Sequence, residues 1–257
     1  MDIQKLIEIV KEAGGMFKNR NFIVKQKGSA SDKVTSMDIA VEKFLKELLT
    51  QLIENSGFMG EESDDHEIDN DYVWIVDPID GTTNFVRDFR ASCVSVALMH
   101  KGEVVQGVVY NPYCDELYSA EKGKGAYLNK ERIAVSNMPF EKSILLTSMH
   151  PYYKDKADVL LNFIEEIYPM VDDTRRSGSA AIDLCNLACG RGDMSFKITL
   201  SPWDFAASVL IIREAGGIVG TVGNEVIRYD KNIPIFAANT KENYDKLYDI
   251  VMKHIKY

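Results

Sequence analysis

The segment Trp74-Ile75-Val76-Asp77-Pro78-Ile79-Asp80-Gly81-Thr82-Thr83-Asn84-Phe85 constrains the fold of this chain more than any other. Its start is apolar and predicts a buried strand over residues 73–76, which delivers two aspartates into a turn. Asp77 and Asp80 cannot both stay ionised at close range unless a cation compensates them. The motif therefore favours a fold in which a strand end and the following turn surround a bound cation.

The residues after the strand add a possible anion site. Carboxylate oxygens without nitrogen or sulfur ligands favour a hard cation such as Mg²⁺. The amides of Gly81, Thr82 and Thr83 are placed to open a helix, and a helix N-terminus binds phosphate. The alternative interpretation is a capped turn, because Asp-Gly and Thr-Thr are common turn and cap residues.

Two further acidic positions favour a metal site over a simple turn. Glu61 follows the second predicted helix, and Asp204 begins a later one, where a carboxylate also complements the helix dipole. Three separate acidic sites, with the Asp77–Asp80 turn counted as one and each at the end of an apolar element, suit a two-metal phosphoryl site. The spacing of Asp77 and Asp80 excludes the D-x-D-G-T motif of haloacid dehalogenase phosphatases. The extra residue between the two aspartates would place the second carboxylate on the opposite side of an extended chain.

Composition excludes several partners. The 257 residues include 30 Lys and Arg against 39 Asp and Glu, giving a formal charge of -9. Such a surface repels nucleic acid and anionic membranes, so neither is an expected partner.

We expect a cytoplasmic protein, because no signal-peptide core or membrane-length apolar run is present. The four cysteines form no C-x-x-C pair, which favours structural thiols.

Hydrophobic periodicity divides the chain into two predicted domains, residues 1–140 and 141–257. The first has helices at 3–17 and 39–53, a polar loop at 28–33, and an antiparallel meander over 94–135, which makes it α+β. The second alternates strands with helices at 157–167, 179–189, 203–215 and from 241, which makes it α/β.

Several motifs together resemble the inositol monophosphatase family of Mg²⁺-dependent, Li⁺-sensitive phosphatases, a superfamily that also contains fructose-1,6-bisphosphatases. They are the segment 74–85, Gly-Glu-Glu at 60–62, Gly-Ala-Tyr-Leu-Asn at 125–129, Trp-Asp at 203–204 and Glu-Ala-Gly-Gly at 214–217. The resemblance covers essentially the whole chain. It implies a layered α-β-α-β-α sandwich and a homodimer. It also implies that a water activated by Mg²⁺ hydrolyses a small phosphate monoester, and the first expected substrate is inositol monophosphate.

The resemblance also assigns roles to residues. One metal ion would be bound by Glu61, Asp77 and the carbonyl of Ile79. A second would be bound by Asp77, Asp80 and Asp204, and Glu61 would assist a third through water, giving two or three ions. Thr82 and Asp38 would orient the attacking water, and the amides of Gly81 and Thr82 would hold the phosphate. Besides Asp80 and Asp204, the substrate-binding residues would be Arg176, Gly178, Ser179, Ala180 and Lys197.

Lys197 departs from the family pattern. Inositol-selective relatives usually have an acidic residue there, seven positions before Asp204, to accept hydrogen bonds from sugar hydroxyls. An ammonium cannot accept such bonds and prefers an anion. If Lys197 faces the pocket, the substrate would carry a second anionic group, as NADP(H) or fructose 1,6-bisphosphate does, or the enzyme would have dual specificity. If it faces solvent, it has no such role.

A different class of function remains open from the sequence. A chain of this family can keep the fold and act as a regulatory protein that binds partners, as some bacterial members are linked to RNA-polymerase-associated complexes. A degenerate site would have lost ligands, whereas all the candidate side chains are present here. The sequence therefore favours the enzyme.

Overall fold

The structure is a computed structural model that describes residues 1–26, 33–63, 66–148 and 157–255. Its helices are α1 (Ile3–Gly15), α2 (Ser36–Leu52), α3 (Thr82–Arg87), α4 (Ala157–Ile167), α5 (Ala180–Ala188), α6 (Pro202–Glu214) and α7 (Lys241–His254). Its strands are β1 (Val24–Gln26), β2 (Lys33–Thr35), β3 (Gly57–Gly60), β4 (Tyr72–Asp80), β5 (Cys93–His100), β6 (Glu103–Asn111), β7 (Glu116–Glu121), β8 (Gly125–Leu128), β9 (Glu131–Ile133), β10 (Ile144–Thr147), β11 (Asp173–Arg175), β12 (Met194–Leu200), β13 (Ile218–Gly220) and β14 (Ile233–Ala238).

Two sheets form the framework. The larger has seven strands in the order β3-β4-β5-β6-β7-β8-β9, and from β4 onwards each strand pairs antiparallel with the next. The smaller has five strands in the order β11-β10-β12-β14-β13 and mixes parallel with antiparallel pairs. Strands β5 to β9 form an antiparallel meander. This confirms the arrangement predicted from the alternating runs and turn residues over 94–135.

The helices complete five layers. Helices α1 and α2 pack on one face of the larger sheet, α5 and α6 lie between the two sheets, and α4 and α7 cover the far face of the smaller sheet. Three apolar cores fill the spaces between the layers. The core with Leu45 lies under α1 and α2, the core with Phe205 joins the middle helices to both sheets, and the core with Phe163 lies under α4 and α7. This is the α-β-α-β-α sandwich that the family resemblance implies. None of the helices in the described ranges is long and apolar enough to span a membrane.

The predicted helices agree with the structure to within a few residues at their ends, and the main differences are short strands. The sequence did not indicate β2, β3 or β11, each of which has three or four residues. The predicted strand at 73–76 extends through Asp80, so both aspartates belong to β4. The loop predicted at 28–33 lies outside the described residues, except for Lys33.

Candidate active site

A break in strand pairing brings Asp77 and Asp80 into one cavity. In a regular strand, residues three apart point to opposite faces. The register between β4 and β5 shifts between Asp77 and Asp80, where Pro78 has no N–H to donate to the ladder. Both aspartates are buried and line the same cavity, and the Asp77 carboxylate accepts a hydrogen bond of 2.9 Å from the backbone N–H of Ile79.

Asp204 reaches this pair from the middle helical layer. Oxygen atoms of Asp77, Asp80 and Asp204 all lie within 4.8 Å of one another. Asp204 also caps its own helix, because its Oδ2 accepts a 2.7 Å bond from the N–H of Ser201. Asp204 can therefore complement the dipole of α6 and also bind a metal ion. We call the carboxylates of Asp77, Asp80 and Asp204 the cage.

Glu61 joins the cage from the end of β3. This strand runs parallel to β4, and the N–H of Glu61 donates to the carbonyl of Val76 at 3.2 Å. The Glu61 carboxyl contacts that of Asp77. Glu42 on α2 holds the segment after Glu61, since its two oxygens accept from the N–H of Glu62 at 2.8 Å and from the Ser63 hydroxyl at 2.6 Å.

The three aspartates of the cage hold more negative charge than the described residues compensate. Burial, followed by the charge of Glu61 and of the other cage aspartates, raises the pKa of Asp77 well above its usual range. Burial and then Asp80 raise the pKa of Asp204 to about 8. Within the described ranges, no Lys, Arg or His forms an ion pair with Asp77, Asp80 or Asp204. Protons or a bound cation must supply the missing positive charge.

Asp38 and Thr82 form a second polar group beside the cage. Thr82 begins α3, after Gly81 in the left-handed conformation at φ 91°. The Thr82 hydroxyl lies 3.2 Å from Asp38 Oδ1 and 3.1 Å from the carbonyl of Ile79, so it donates to one or the other. Asp38 Oδ2 accepts from the Thr35 N–H and hydroxyl in a capping box. Burial raises the pKa of Asp38, which makes its carboxylate a better proton acceptor.

The start of α5 fixes Asp80 from the other side. Its carboxylate accepts from the Ser179 hydroxyl and the Ala181 N–H, each at 2.6 Å, and from the Ala180 N–H at 3.3 Å. The Cys93 thiol lies 3.9 Å from Asp80 Oδ2, and burial raises the pKa of this thiol well above its usual range. Cys93 is therefore a neutral neighbour of the cage and supplies no thiolate ligand.

One cavity of about 200 Å³ contains the cage and Thr82, whereas Asp38 and Cys93 are not among the residues that line it. It is lined by the cage residues and by the other residues predicted to bind substrate: Arg176, Gly178, Ser179, Ala180 and Lys197. Lys197 is fully buried, so the alternative that it faces solvent is wrong. It is not a free cation either, because its Nζ lies 2.5 Å from Asp183 Oδ2.

Comparison with known proteins identifies the chain. A model of the inositol monophosphatase family matches residues 2–256. The chain belongs to the inositol monophosphatase family. An inositol monophosphatase of Dictyostelium discoideum is 41% identical to it over 84% of this chain and 83% of that protein. Nus factor SuhB of Escherichia coli is 41% identical over 76% of this chain and 73% of that protein.

Solved structures show the same architecture. Extragenic suppressor protein SuhB from Bartonella henselae superimposes with a TM-score of 0.90 at 34% identity, covering 98% of this chain and 99% of that one. Family membership assigns hydrolysis of phosphate monoesters to this chain. The carboxylates that the sequence places far apart meet at one site in this inositol monophosphatase fold.

Two acidic residues at or beside this site were not predicted from the sequence. Glu42 is one charged residue on an amphipathic helix, and such residues are usually solvated. Asp183 lies in the first turn of α5, where an acidic residue commonly complements the helix dipole. Its position four residues after Ser179, a residue expected to bind substrate, was the available signal.

Proposed function

We propose that this phosphatase is Mg²⁺-dependent and hydrolyses the phosphate ester of a small polyol, with inositol monophosphate as the substrate that we place first. The observation that carries this proposal is the convergence of Glu61, Asp77, Asp80 and Asp204 on one cavity. They come from the end of β3, from β4 and from α6, and α6 is distant along the chain from the two strands. The relative named inositol monophosphatase supports the choice of substrate.

The donor set fits a hard cation. It consists of carboxylate oxygens and one backbone carbonyl, of which Asp77, Ile79 and Asp80 are buried and the other two are half-buried. Among the described residues, no Lys, Arg or His forms an ion pair with the three aspartates. We assign Glu61, Asp77 and the carbonyl of Ile79 to one ion, and Asp77, Asp80 and Asp204 to a second, with Glu61 assisting a third. When bound, Mg²⁺ supplies positive charge that offsets the phosphate charge and lowers the pKa of a coordinated water.

The remaining chemistry belongs to the side chains of the protein. We assign the proton of the attacking water to the Thr82 hydroxyl oxygen while the hydroxyl proton passes to Asp38 Oδ1, 3.2 Å away. Asp38 is anchored by the cap of α2, which keeps its Oδ1 within reach of the Thr82 hydroxyl. The amides of Gly81 and Thr82 would hold the phosphate. Arg176, Gly178, Ser179, Ala180 and Lys197 surround the space left for the alcohol.

Mg²⁺ binding and pH are expected to have linked effects on stability. Without Mg²⁺, folded Asp204 keeps its proton up to about pH 8, whereas the unfolded carboxyl loses it near its ordinary pKa of 3.8. Between these values the folded state binds more protons, so the free energy of unfolding falls as pH rises, by at most about 1.4 kcal/mol per pH unit for this group. Asp77 changes stability in the same direction.

Mg²⁺ replaces these protons, so its stabilising effect should grow with pH. At free Mg²⁺ about 100-fold above Kd, stabilisation is about 2.7 kcal/mol, which corresponds to roughly 5–10 °C in Tm. Thermal unfolding at pH 5.5 and 8.5, with Mg²⁺ and with EDTA, measures it. Asp204→Asn should flatten the pH dependence in EDTA. An equal Mg²⁺ effect at both pH values would contradict the linkage.

Phosphate release tests the proposed function directly. The assay compares inositol 1-phosphate, fructose 1,6-bisphosphate, NADP and phenyl phosphate, each with Mg²⁺ and with EDTA. We expect release that requires Mg²⁺, fastest with inositol 1-phosphate, and inhibition by Li⁺. Turnover at full rate in EDTA would refute the metal dependence, and preference for NADP or the bisphosphate would replace the proposed substrate.

Assembly and location complete the proposal. We infer a cytoplasmic homodimer whose chain divides into domains 1–140 and 141–257. Exposed apolar side chains support self-association, among them Phe89, which is 72% exposed. Light scattering measures the oligomeric state, and limited proteolysis maps the domain boundary.

A purely regulatory role is the second candidate function, supported by the SuhB-named relatives. A partner captured by this chain without any phosphatase activity would establish it.

A further inference from the structure

A buried glutamate on α2 contacts the segment that contains Glu61. Glu42 is 5% exposed, and its carboxylate accepts from the Glu62 N–H at 2.8 Å and from the Ser63 hydroxyl at 2.6 Å. The carboxylate also lies against Gly60, because a β-carbon added to that glycine would be 2.3 Å from Oε2. Glu42 therefore contacts the chain on both sides of Glu61.

The Glu42 carboxylate depends on this segment for its own stability. Within the described ranges, its oxygens accept side-chain hydrogen bonds from residues 62 and 63 alone, and no Lys, Arg or His forms an ion pair with it. A buried carboxylate that loses its hydrogen-bond donors is strongly unfavourable. Glu42 and the segment therefore stabilise each other in the arrangement that the structure shows.

The segment has to hold one acid against another. The Glu61 carboxyl contacts that of Asp77, and two ionised carboxylates at this distance repel each other until a cation binds. Pairing with β4 ends with the bond from the Glu61 N–H to the carbonyl of Val76. The bonds to Glu42 begin at the next residue. Glu42 thus extends the support of the backbone past the point where the sheet stops.

Helix α2 is a rigid support for this purpose. It has 17 residues and packs on the larger sheet, with Val41 and Leu45 fully buried. Asp38 precedes Glu42 by four residues, so both lie on the same face of the helix. Asp38 Oδ1 lies 3.2 Å from the Thr82 hydroxyl. The same helix face therefore contacts the hydroxyl proposed to orient the attacking water and the segment of a proposed metal ligand.

We propose that Glu42 is a positioning residue, which holds the backbone beside Glu61 so that the Glu61 carboxylate reaches the cage and strengthens Mg²⁺ binding. The inference rests on the proposed function, because that proposal assigns Glu61 to an ion. Glu42 is not among the residues that line the cavity, so it acts through Glu61 and not on the substrate. Groups that orient a metal ligand from outside commonly change metal affinity by about 10- to 100-fold when they are replaced.

The first test removes both hydrogen bonds. Glu42→Met keeps a side chain of similar length and good helix propensity but cannot accept from Glu62 or Ser63. We expect the apparent Kd for Mg²⁺, measured by isothermal titration calorimetry, to rise about 10- to 100-fold. The Mg²⁺ concentration for half-maximal phosphate release should rise in parallel, whereas kcat at saturating Mg²⁺ should stay within a few-fold, because the bound ion draws Glu61 back. Glu47→Met, at an exposed position of the same helix, is the matched control and should change neither value.

The second test separates the hydrogen bonds from the charge. In Glu42→Gln the amide oxygen can accept from the Glu62 N–H, and the amide N–H₂ can donate to the Ser63 hydroxyl oxygen. Both bonds are then kept without the negative charge, so we expect the apparent Kd for Mg²⁺ to stay within a few-fold of the original. A rise as large as that in Glu42→Met would show that the charge acts on the ion, and would overturn the positioning role.

The remaining outcomes are distinguishable. Ser63→Ala removes one of the two bonds and should raise the apparent Kd less than Glu42→Met, and it decides the question if Glu42→Met does not fold. An unchanged Kd in the folded variants, or a loss of kcat that saturating Mg²⁺ does not restore, would overturn the role of Glu42. Absence of Mg²⁺ binding by the unmodified protein would instead refute the metal dependence in the proposed function.

Discussion

Replacing Asp77 with asparagine should reduce kcat/KM for inositol 1-phosphate by about 10³-fold or more. Asp77 is the residue that we assign to both ions, and its carboxylate contacts Glu61 and lies within the cage of Asp80 and Asp204. A neutral amide is a weaker ligand for a hard cation. Metal ions supply several kcal/mol of charge stabilisation in such reactions, and each 1.36 kcal/mol corresponds to a factor of ten in rate.

The same substitution should separate loss of activity from loss of fold. In EDTA the Tm of Asp77→Asn should equal or exceed that of the unmodified protein, because burial already raises the pKa of Asp77 and the amide removes a repelling acid. The amide oxygen can still accept from Ile79. The Tm increase on adding Mg²⁺ should disappear.

A buried aspartate outside the cavity provides the control. Asp193 accepts from the Ser136 hydroxyl and from the N–H of Ile144 at 2.7 Å, and it does not line the site. Asp193→Asn should lower Tm while kcat/KM stays within a few-fold of the original value. If Asp77→Asn kept activity within tenfold, the bridging role of Asp77 would be wrong.

Local sequence patterns predict the parts of this fold that depend on neighbouring residues. Helices α2 and α7 have apolar residues at helical spacing, and their positions follow from that periodicity. Strand β3 was missed because it is four residues long and two of them are glycine, which has low strand propensity. Its burial comes from parallel pairing with β4, a contact that periodicity does not reveal.

The residues of the candidate site also differ in how far the local sequence predicts them. Asp77, Asp80 and Asp204 could be predicted because each follows or begins an apolar element and belongs to a specific motif. The orientation of Lys197 could not, because it depends on the register of β12 in the smaller sheet and on Asp183, which α5 brings from fourteen residues away along the chain. The sequence distinguishes a charged residue from an apolar one, but the fold decides which partner the charge meets.

Glu42 illustrates the remaining gap. A β-carbon at Gly60 would lie 2.3 Å from Glu42 Oε2, so a larger residue there would displace the Glu42 carboxylate from its present position. The sequence motif shows Gly60 and Glu61 together, yet only the structure shows that the carboxylate of Glu42 on α2 occupies the space beside the glycine. Glu42 thereby positions the segment that contains a proposed metal ligand.

Asp38→Asn should lower kcat by about 10²- to 10⁴-fold, the usual contribution of a general base, while the Tm increase with Mg²⁺ is retained. Asp38 is placed to accept the proton that Thr82 passes on, and it is not assigned to either ion. Thr82→Val should cause a loss of similar size. Because the two residues act as one proton path, the double variant should be no slower than the slower single variant.

A cap variant isolates catalysis from helix stability. Asp38→Asn also weakens the capping box, because the amide cannot accept both bonds from Thr35 if its nitrogen replaces Oδ2. Thr35→Ala removes the hydroxyl of the same cap and should cost about 1 kcal/mol of stability with less than a tenfold change in kcat. If Thr35→Ala and Asp38→Asn lowered kcat equally, Asp38 would act through the start of α2 and not through Thr82. Multiplicative losses in the double variant would likewise separate Asp38 from Thr82, because independent residues lower the rate independently.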